Sequence, residues 1–371
     1  MLRYYSTIIR FIAGMAIFLA MQQCCYSQNI SNMLLKNYKP VSIFNIPVTS
    51  IEKPMVPVID VHSHDFARSA AEIERWVQTM DAKSIVKTII LSAYTGKRFD
   101  SLVKKYSNYK DRFDIWCGLD YSSYETPGWE VHAIAELERC ARAGAKGVGE
   151  LGDKGLGEEF SFSGRKSKPG PHFDDPSMLK IFKRCGELGL PVSIHIGEDA
   201  WMYLPPDSLN DGLMNGAIYH VDTTTHSRWS HARLFESVNT AILKNPHTIF
   251  ILCHYGNSCA DLNKLGALLY RYPNLYADIS ARFGEIAAIP RFAKKFIEDN
   301  QDKLLYGTDM GSEAGMYDMT FRILESTDEH FYYHDYLDYH WPLSGLQLTS
   351  TVLEKIYYKN AQRLYSGGYV K

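Results

Sequence analysis

Charge of either sign is nearly absent as an excess: 40 Lys and Arg face 42 Asp and Glu, a formal net charge of −2 over 371 residues. Such a balance draws the protein neither to nucleic acid nor to an anionic membrane surface, and no nucleic-acid partner is expected. There is no run of five like charges, no low-complexity tract and no internal repeat, which excludes charged disordered tails and solenoids. Cysteine is sparse, at 7 residues. Cys24 and Cys25 lie in a leader segment. The others, Cys117, Cys140, Cys185, Cys253 and Cys259, are odd in number and scattered through predicted strands and helices, so they read as buried thiols rather than a disulfide framework.

Long apolar runs are lacking as well. Residues 11–21 are apolar but shorter than the roughly 20 residues that span a bilayer. Preceded by Arg3 and Arg10 and followed by Gln22-Gln23-Cys24-Cys25-Tyr26-Ser27, they read as an export signal ending at Ser27. The expectation is an exported protein, periplasmic or secreted, with no stable membrane span. A lipid-anchored form is the alternative, although Met21-Gln22-Gln23 lacks the small residues that lipidation usually needs. Residues 28–55 then form an N-terminal extension and 56–371 the main domain.

From residue 56 short apolar runs alternate with amphipathic stretches. Strands are predicted at 56–61, 86–91, 113–118, 145–149, 191–194, 248–253, 274–279 and 303–306, with helical patterns between them such as 71–80, 131–143, 178–188, 234–243, 261–270 and 291–300. Continuous apolar strands separated by helices indicate a parallel sheet covered on both faces. Eight such units in about 300 residues fit a closed (β/α)8 TIM barrel of the α/β class. The open doubly wound alternative lacks a Gly-rich phosphate fingerprint after the first strand. Three connections, 151–176, 197–230 and 311–349, are longer than a barrel needs. They follow strands four, five and eight and so are expected as lids on the carboxyl face, carrying aromatic groups such as Trp201-Met202-Tyr203 and Phe331-Tyr332-Tyr333-His334. The final stretch, 349–365, is expected to close the barrel.

Polar residues stand where these apolar strands end. His62 and His64 end the first, in Asp60-Val61-His62-Ser63-His64, and the period of 2 along a strand aims both imidazoles at one point. Glu150 ends the fourth, His195 the fifth, His254 the sixth and Asp309 the eighth. A histidine alone is often a satisfied core residue, and Asp309 could cap a helix. Independent accidents at five of eight strand ends are improbable. Imidazole and carboxylate at one axial cavity are the ligand set of zinc, manganese or iron(II).

On these residues the chain resembles the amidohydrolase superfamily. The matching pieces are Asp60-Val61-His62-Ser63-His64, Ile194-His195, Cys253-His254-Tyr255-Gly256-Asn257, residues 273–280, Gly307-Thr308-Asp309 and Asn360-Ala361-Gln362-Arg363-Leu364. The last four look most like the amidohydrolase-related branch, which holds decarboxylases and hydratases as well as hydrolases. Glu150 is similar to the strand-four glutamate of TatD-type hydrolases, which bridges two metals. No lysine ends strand four as a carbamylated bridge; Lys146 is read as lying inside the strand and Lys154 beyond it.

The resemblance implies one or two divalent ions, zinc foremost, at His62, His64, Glu150, His195, His254 and Asp309. In two-metal members His195 and His254 would hold the second ion; in one-metal members His195 joins the first site and His254 positions the attacking water. Asp309 would be the base. The implied activity is hydrolysis of an ester, lactone, amide or similar bond of a small molecule. The alternative is a metal-dependent decarboxylase or hydratase of a carboxylic acid, for which Arg165, Lys166 and Arg228 on the lids are candidate cations. A third reading is an exported binding protein or inactive relative, which a lost ligand would favour; none is lost. A homo-oligomer is possible on this reading.

Overall fold

The computed structural model describes residues 32–161, 170–224, 227–337 and 339–365. The expected export signal and the lid cations Arg165 and Lys166 lie outside these described residues. Contacts divide the chain into Met1–Pro40 and Val41–Lys371. Of the first unit, residues 32–40 carry one short 3-10 turn, Leu35–Asn37, with no buried residue.

The second unit is built from strands β1 (Val58–Ser63), β2 (Ile85–Leu91), β3 (Phe113–Trp116), β4 (Val148–Asp153), β5 (Val192–Ile196), β6 (Phe250–Leu252), β7 (Leu275–Asp278) and β8 (Leu304–Leu305). Each is followed by a helix: α1 (Ala70–Ala82), α2 (Gly96–Lys105), α3 (Trp129–Arg142), α4 (Pro176–Glu187), α5 (His231–Lys244), α6 (Leu262–Arg271), α7 (Pro290–Asp299) and α8 (Ala314–Glu325). All neighbouring strands pair in parallel. A parallel bridge between Cys117 and Val148 joins β3 to β4. On the other side the Val61 amide donates to the Tyr306 carbonyl at 2.9 Å and that of Thr308 to His62 at 3.2 Å. The sheet closes on itself, and the fold is a (β/α)8 barrel.

Local chemistry explains the alternation. Ser69 caps α1 by accepting from the Glu72 amide, Asp175 precedes Pro176 and caps α4, and Ser230 caps α5, each satisfying one orphan donor of the first turn. Their apolar faces pack outside the strands, where Trp76, Phe182 and Phe250 are almost wholly buried; full burial of one such side chain contributes roughly 1.5–3 kcal/mol. A second cluster joins Ile59, Val61, Ile89, Leu91, Trp116, Ile251, Tyr276 and Leu305, from strands that are not all neighbours, with Ala361 and Leu364. Residues from opposite strands meet only across the barrel interior, so this cluster is the inner core. The final stretch closes it as expected: Asn360 donates to the carbonyls of Gln301 and Leu304 at the start of β8.

Two expectations need correction. Strand four, predicted at 145–149, runs Val148–Asp153, so Glu150 lies inside it, Lys146 precedes it and Lys154 follows it directly. Gly147 and Gly149 disguise its start, and pairing of Leu151, Gly152 and Asp153 with Ile194, His195 and Ile196 extends its end. The lid after strand eight, predicted as 311–349, holds helix α8, leaving 326–337 and 339–349 outside any helix. Met316, Tyr317, Met319, Thr320, Phe321, Ile323 and Leu324 of α8 are all buried, and a helix apolar on most faces shows no amphipathic stripe to read.

Candidate metal centre

The barrel brings all six strand-end residues to one place. His62 is fully buried at the end of β1, and His64 follows one residue beyond the strand. Glycines permit the close approach. A Cβ on Gly307 would stand 2.7 Å from the Cβ of His62, and Gly149, at φ +152°, would press 2.7 Å against Ser193; β8 and β4 can reach the cavity only with glycine there. His254, Tyr255, Gly256 and Asn257 all take positive φ, 57°, 55°, 60° and 48°. This left-handed turn is costly for three non-glycine residues, and such strain gathers at functional sites.

Hydrogen bonds fix how each imidazole faces. Nδ1 of His62 lies 2.9 Å from Asp278 Oδ2, Nδ1 of His64 lies 2.8 Å from the Leu91 carbonyl, and Nδ1 of His254 lies 3.1 Å from the Ser280 carbonyl. Nε2 of His195 lies 3.0 Å from the Gly197 carbonyl. Carbonyls and carboxylates only accept, so the neutral rings of His62 and His254 carry the hydrogen on Nδ1, whereas His64 and His195 face an acceptor at both nitrogens. The other nitrogen of each ring turns toward the two carboxylates. Three are Nε2: that of His62 is 3.6 Å from Glu150 and 3.7 Å from Asp309, that of His64 is 2.9 Å from Asp309, and that of His254 is 3.4 Å from Glu150. The fourth, His195 Nδ1, is 2.8 Å from Glu150. His62 Nε2 is buried with no hydrogen-bond partner. Four imidazole nitrogens and two carboxylates thus converge, an arrangement that positive charge stabilises, whether from protons on the rings or from a bound cation. The donor set fits a divalent cation.

The titration pattern agrees. Burial alone would lower the pKa of His62, but Asp278, Asp309 and Glu150 hold it well above its ordinary value. Burial opposes the charge of His64 too, and Asp309 and Glu150 raise it. Glu150 is held well below its ordinary range by His62 and His195 despite burial, and Asp309 falls to about 2 as His62 and His64 outweigh burial. His254 is lowered, chiefly by burial.

The donor atoms of the six sort into two groups. His62, His64 and Asp309 form one; Glu150, His195 and His254 form another; each has its ligand atoms within 4.8 Å of one another. Glu150 faces both, with Oε2 toward His62 and His64 and Oε1 toward His195 and His254. Sequence reading missed Asp278, which ends β7. One of its oxygens takes the His62 ring and the other the His254 amide, at 2.9 Å each. The rule applied to the other strand ends would have found it.

Above the cluster lies a chamber of about 340 Å³, lined by His195, His254, Asp309 and residues of the lids. Its two cations are committed. Arg282 donates to Asn257 and to the Ala281 carbonyl and has Asp199 at 2.6 Å. Lys154 pairs with Glu198 across the start of two lids. Arg228, proposed as a substrate cation, instead donates to the Lys154 carbonyl at 2.8 Å. The lids themselves are tied together by His172, which stacks on Trp229 with ring centroids 3.3 Å apart and bonds to Asp153. No helix of the described residues is long and apolar enough to cross a membrane.

Comparison with known proteins follows the same line. A protein from Staphylococcus aureus described as an amidohydrolase is 16% identical, covering 84% of this chain and 100% of that one, with a TM-score of 0.53. A 2,6-dihydroxybenzoate decarboxylase from Rhizobium is 17% identical over 84% of this chain and 99% of its own, at 0.51. The 5-carboxyvanillate decarboxylase of Novosphingobium aromaticivorans, complexed with manganese, is 14% identical over 86% and 100%, at 0.52. At such identities the likeness is one of fold. No curated protein matches the chain. The family model described as Amidohydrolase matches residues 99–367, most of the barrel though starting beyond His62 and His64, and the chain belongs to the amidohydrolase family.

Proposed function

We propose that this protein is a metal-dependent hydrolase that cleaves an ester, lactone, amide or similar bond of a small molecule. The observation that carries the reading is the convergence of four imidazole nitrogens on Glu150 and Asp309. His62, His64 and Asp309 would hold one ion and His195 and His254 a second, with Glu150 between them. Nitrogen and oxygen donors suit zinc, manganese or iron(II), with the Cys253 sulfur beside His62 and Glu150 kept a thiol by burial, and the manganese described for the decarboxylase of like fold is in keeping with that range. A bound divalent ion supplies Lewis acidity and brings the pKa of water to about 7.

The chain's own groups do the rest. Asp309, 23% exposed at its side chain on the chamber floor, accepts a proton from the attacking water and returns it to the leaving group. Asp278 keeps His62 and His254 aimed by holding one ring and one backbone amide. The lids exclude bulk water from the reacting bond. Decarboxylation, the second reading, calls for cations free to hold a carboxylate; among the described residues Arg282 and Lys154 are each already paired with an acid, which favours hydrolysis.

The test is a screen of metal-loaded protein over esters, lactones and amides, run beside carbon dioxide release from aromatic acids. Hydrolysis lost on chelation and restored by metal supports the proposal; carbon dioxide release with no hydrolysis overturns it. Export belongs to the same proposal, and an amino terminus starting at Gln28 on the secreted protein is its check.

A further inference from the structure

The chamber wall facing the metal centre is marked by one ion pair. Lys154 directly follows β4 and Glu198 follows β5 by two residues. Glu198 is only 5% exposed, while the Lys154 side chain is 30% exposed. Both line the chamber together with His195, His254 and Asp309. Burying such a pair costs desolvation that an apolar pair would avoid, so its place beside the reacting centre asks for a reason.

Its surroundings hold it in place. Asp153, fully buried just before Lys154, accepts from the amides of Gly155 and Gly157 at 2.8 and 2.9 Å and from His172. The Lys154 carbonyl is taken by Arg228, and the Glu198 amide donates to the Tyr203 hydroxyl at 3.1 Å. Among the described residues the Lys154 ammonium pairs with Glu198 and stands 5.6 Å from the centroid of the Phe160 ring. An ammonium has three N–H donors, and a carboxylate four acceptor sites. The pair therefore offers the chamber donors and acceptors side by side at no net charge. An anionic substituent would meet Glu198 as well as Lys154, and Arg282 has no free fork to offer it. A pair of neighbouring hydroxyls matches both members: one hydroxyl donates to Glu198 while the next accepts from Lys154. The rings of Tyr219 and Tyr336 also line the chamber, giving apolar faces for the C–H side of a saturated ring.

We propose that Lys154 and Glu198 form a subsite for vicinal hydroxyls, so that the substrate is a neutral polyhydroxylated small molecule such as a sugar lactone. The inference rests on the hydrolase reading above and goes further by naming the substrate class.

Calorimetric binding to the metal-loaded protein tests it without turnover. The probes are D-glucono-δ-lactam and δ-valerolactam, the same ring without hydroxyls. The hydroxylated lactam should bind at least tenfold tighter to wild type. Lys154→Met and Glu198→Gln should each weaken it by about 10- to 100-fold, the loss expected for a hydrogen bond to a charged group. Neither change should alter metal content or δ-valerolactam affinity. Because each single variant leaves a buried charge alone, the double variant Lys154→Met/Glu198→Leu is measured too and should show the same lost preference in a neutral wall. Equal binding of the two lactams by wild type, no binding of either at millimolar concentration, or a preference that survives in the double variant would overturn the subsite. Failure of the hydrolase reading is seen separately, as carbon dioxide release without ester or lactone cleavage.

Discussion

At the scale of single residues, the account makes Asp309 and Asp278 do different things. Asp309 touches the reacting water, so Asp309→Asn keeps shape and one oxygen but removes the proton acceptor. It should fold, retain at least part of the metal, and lose roughly 10²-fold or more in turnover on whichever substrate the screen supplies. Metal and rate must be measured on the same sample: near-normal turnover with full metal would hand the proton to another group such as His254, and loss of both would leave Asp309 a ligand only. Asp278 reaches the centre through His62 and the His254 backbone. Asp278→Ala should therefore lower metal affinity by about 10- to 100-fold, the usual cost of losing a carboxylate that orients a ligand histidine, with the pH profile of the remaining activity unchanged. Competition with a metal-binding dye reads this directly, and unaltered affinity would remove its orienting role.

At the scale of elements, Glu158 anchors the turn that opens the lid after β4. Its Oε1 accepts from the amides of Gly152, Phe160 and Ser161 at 3.2, 2.8 and 3.2 Å. Burial, opposed by those bonds, still raises its pKa from 4.5 to about 7. The folded state then binds more protons than the unfolded one between those values, so stability falls as pH rises through the window from 4.5 to 7. The total is on the order of 3 kcal/mol, from 1.36 kcal/mol per unit. In Glu158→Gln that slope should vanish, and the variant should gain on wild type as pH rises from 4.5 to 7 in paired denaturant titrations; a difference independent of pH would show that Glu158 stays ionised in the fold. The elements were also where sequence reading worked and where it stopped. Apolar runs with period-specific neighbours marked all eight strands. β4 was misplaced because Gly147 and Gly149 interrupt the apolar signal while its far end depends on pairing with β5. Helix α8 was invisible because it is buried nearly all round. At the site, His62, His64, His195, His254 and Asp309 were legible as polar residues at or just past the ends of apolar strands, and Glu150 as a carboxylate after an apolar run although it lies inside β4. The link between Lys154 and Glu198 was not, since only the pairing of β4 with β5 brings residues 44 apart into contact.

At the scale of the molecule, the barrel supplies the rigid frame and the cavity supplies negative charge and lone pairs that metal would satisfy. Any ion that binds the folded chain alone stabilises it, by about 2.7 kcal/mol at a hundred times its dissociation constant, so chelation should lower the melting temperature and added zinc or manganese should restore it. The most direct measurement is metal content after equilibrium dialysis, by elemental analysis of wild type, Glu150→Gln and the double variant His62→Ala/His64→Ala. The account predicts firmly bound ion in wild type with two equivalents at saturation, loss of the weaker one in Glu150→Gln, and sharply reduced metal in the double variant. Full occupancy in the double variant, or a wild type that binds no divalent ion at all, would contradict it.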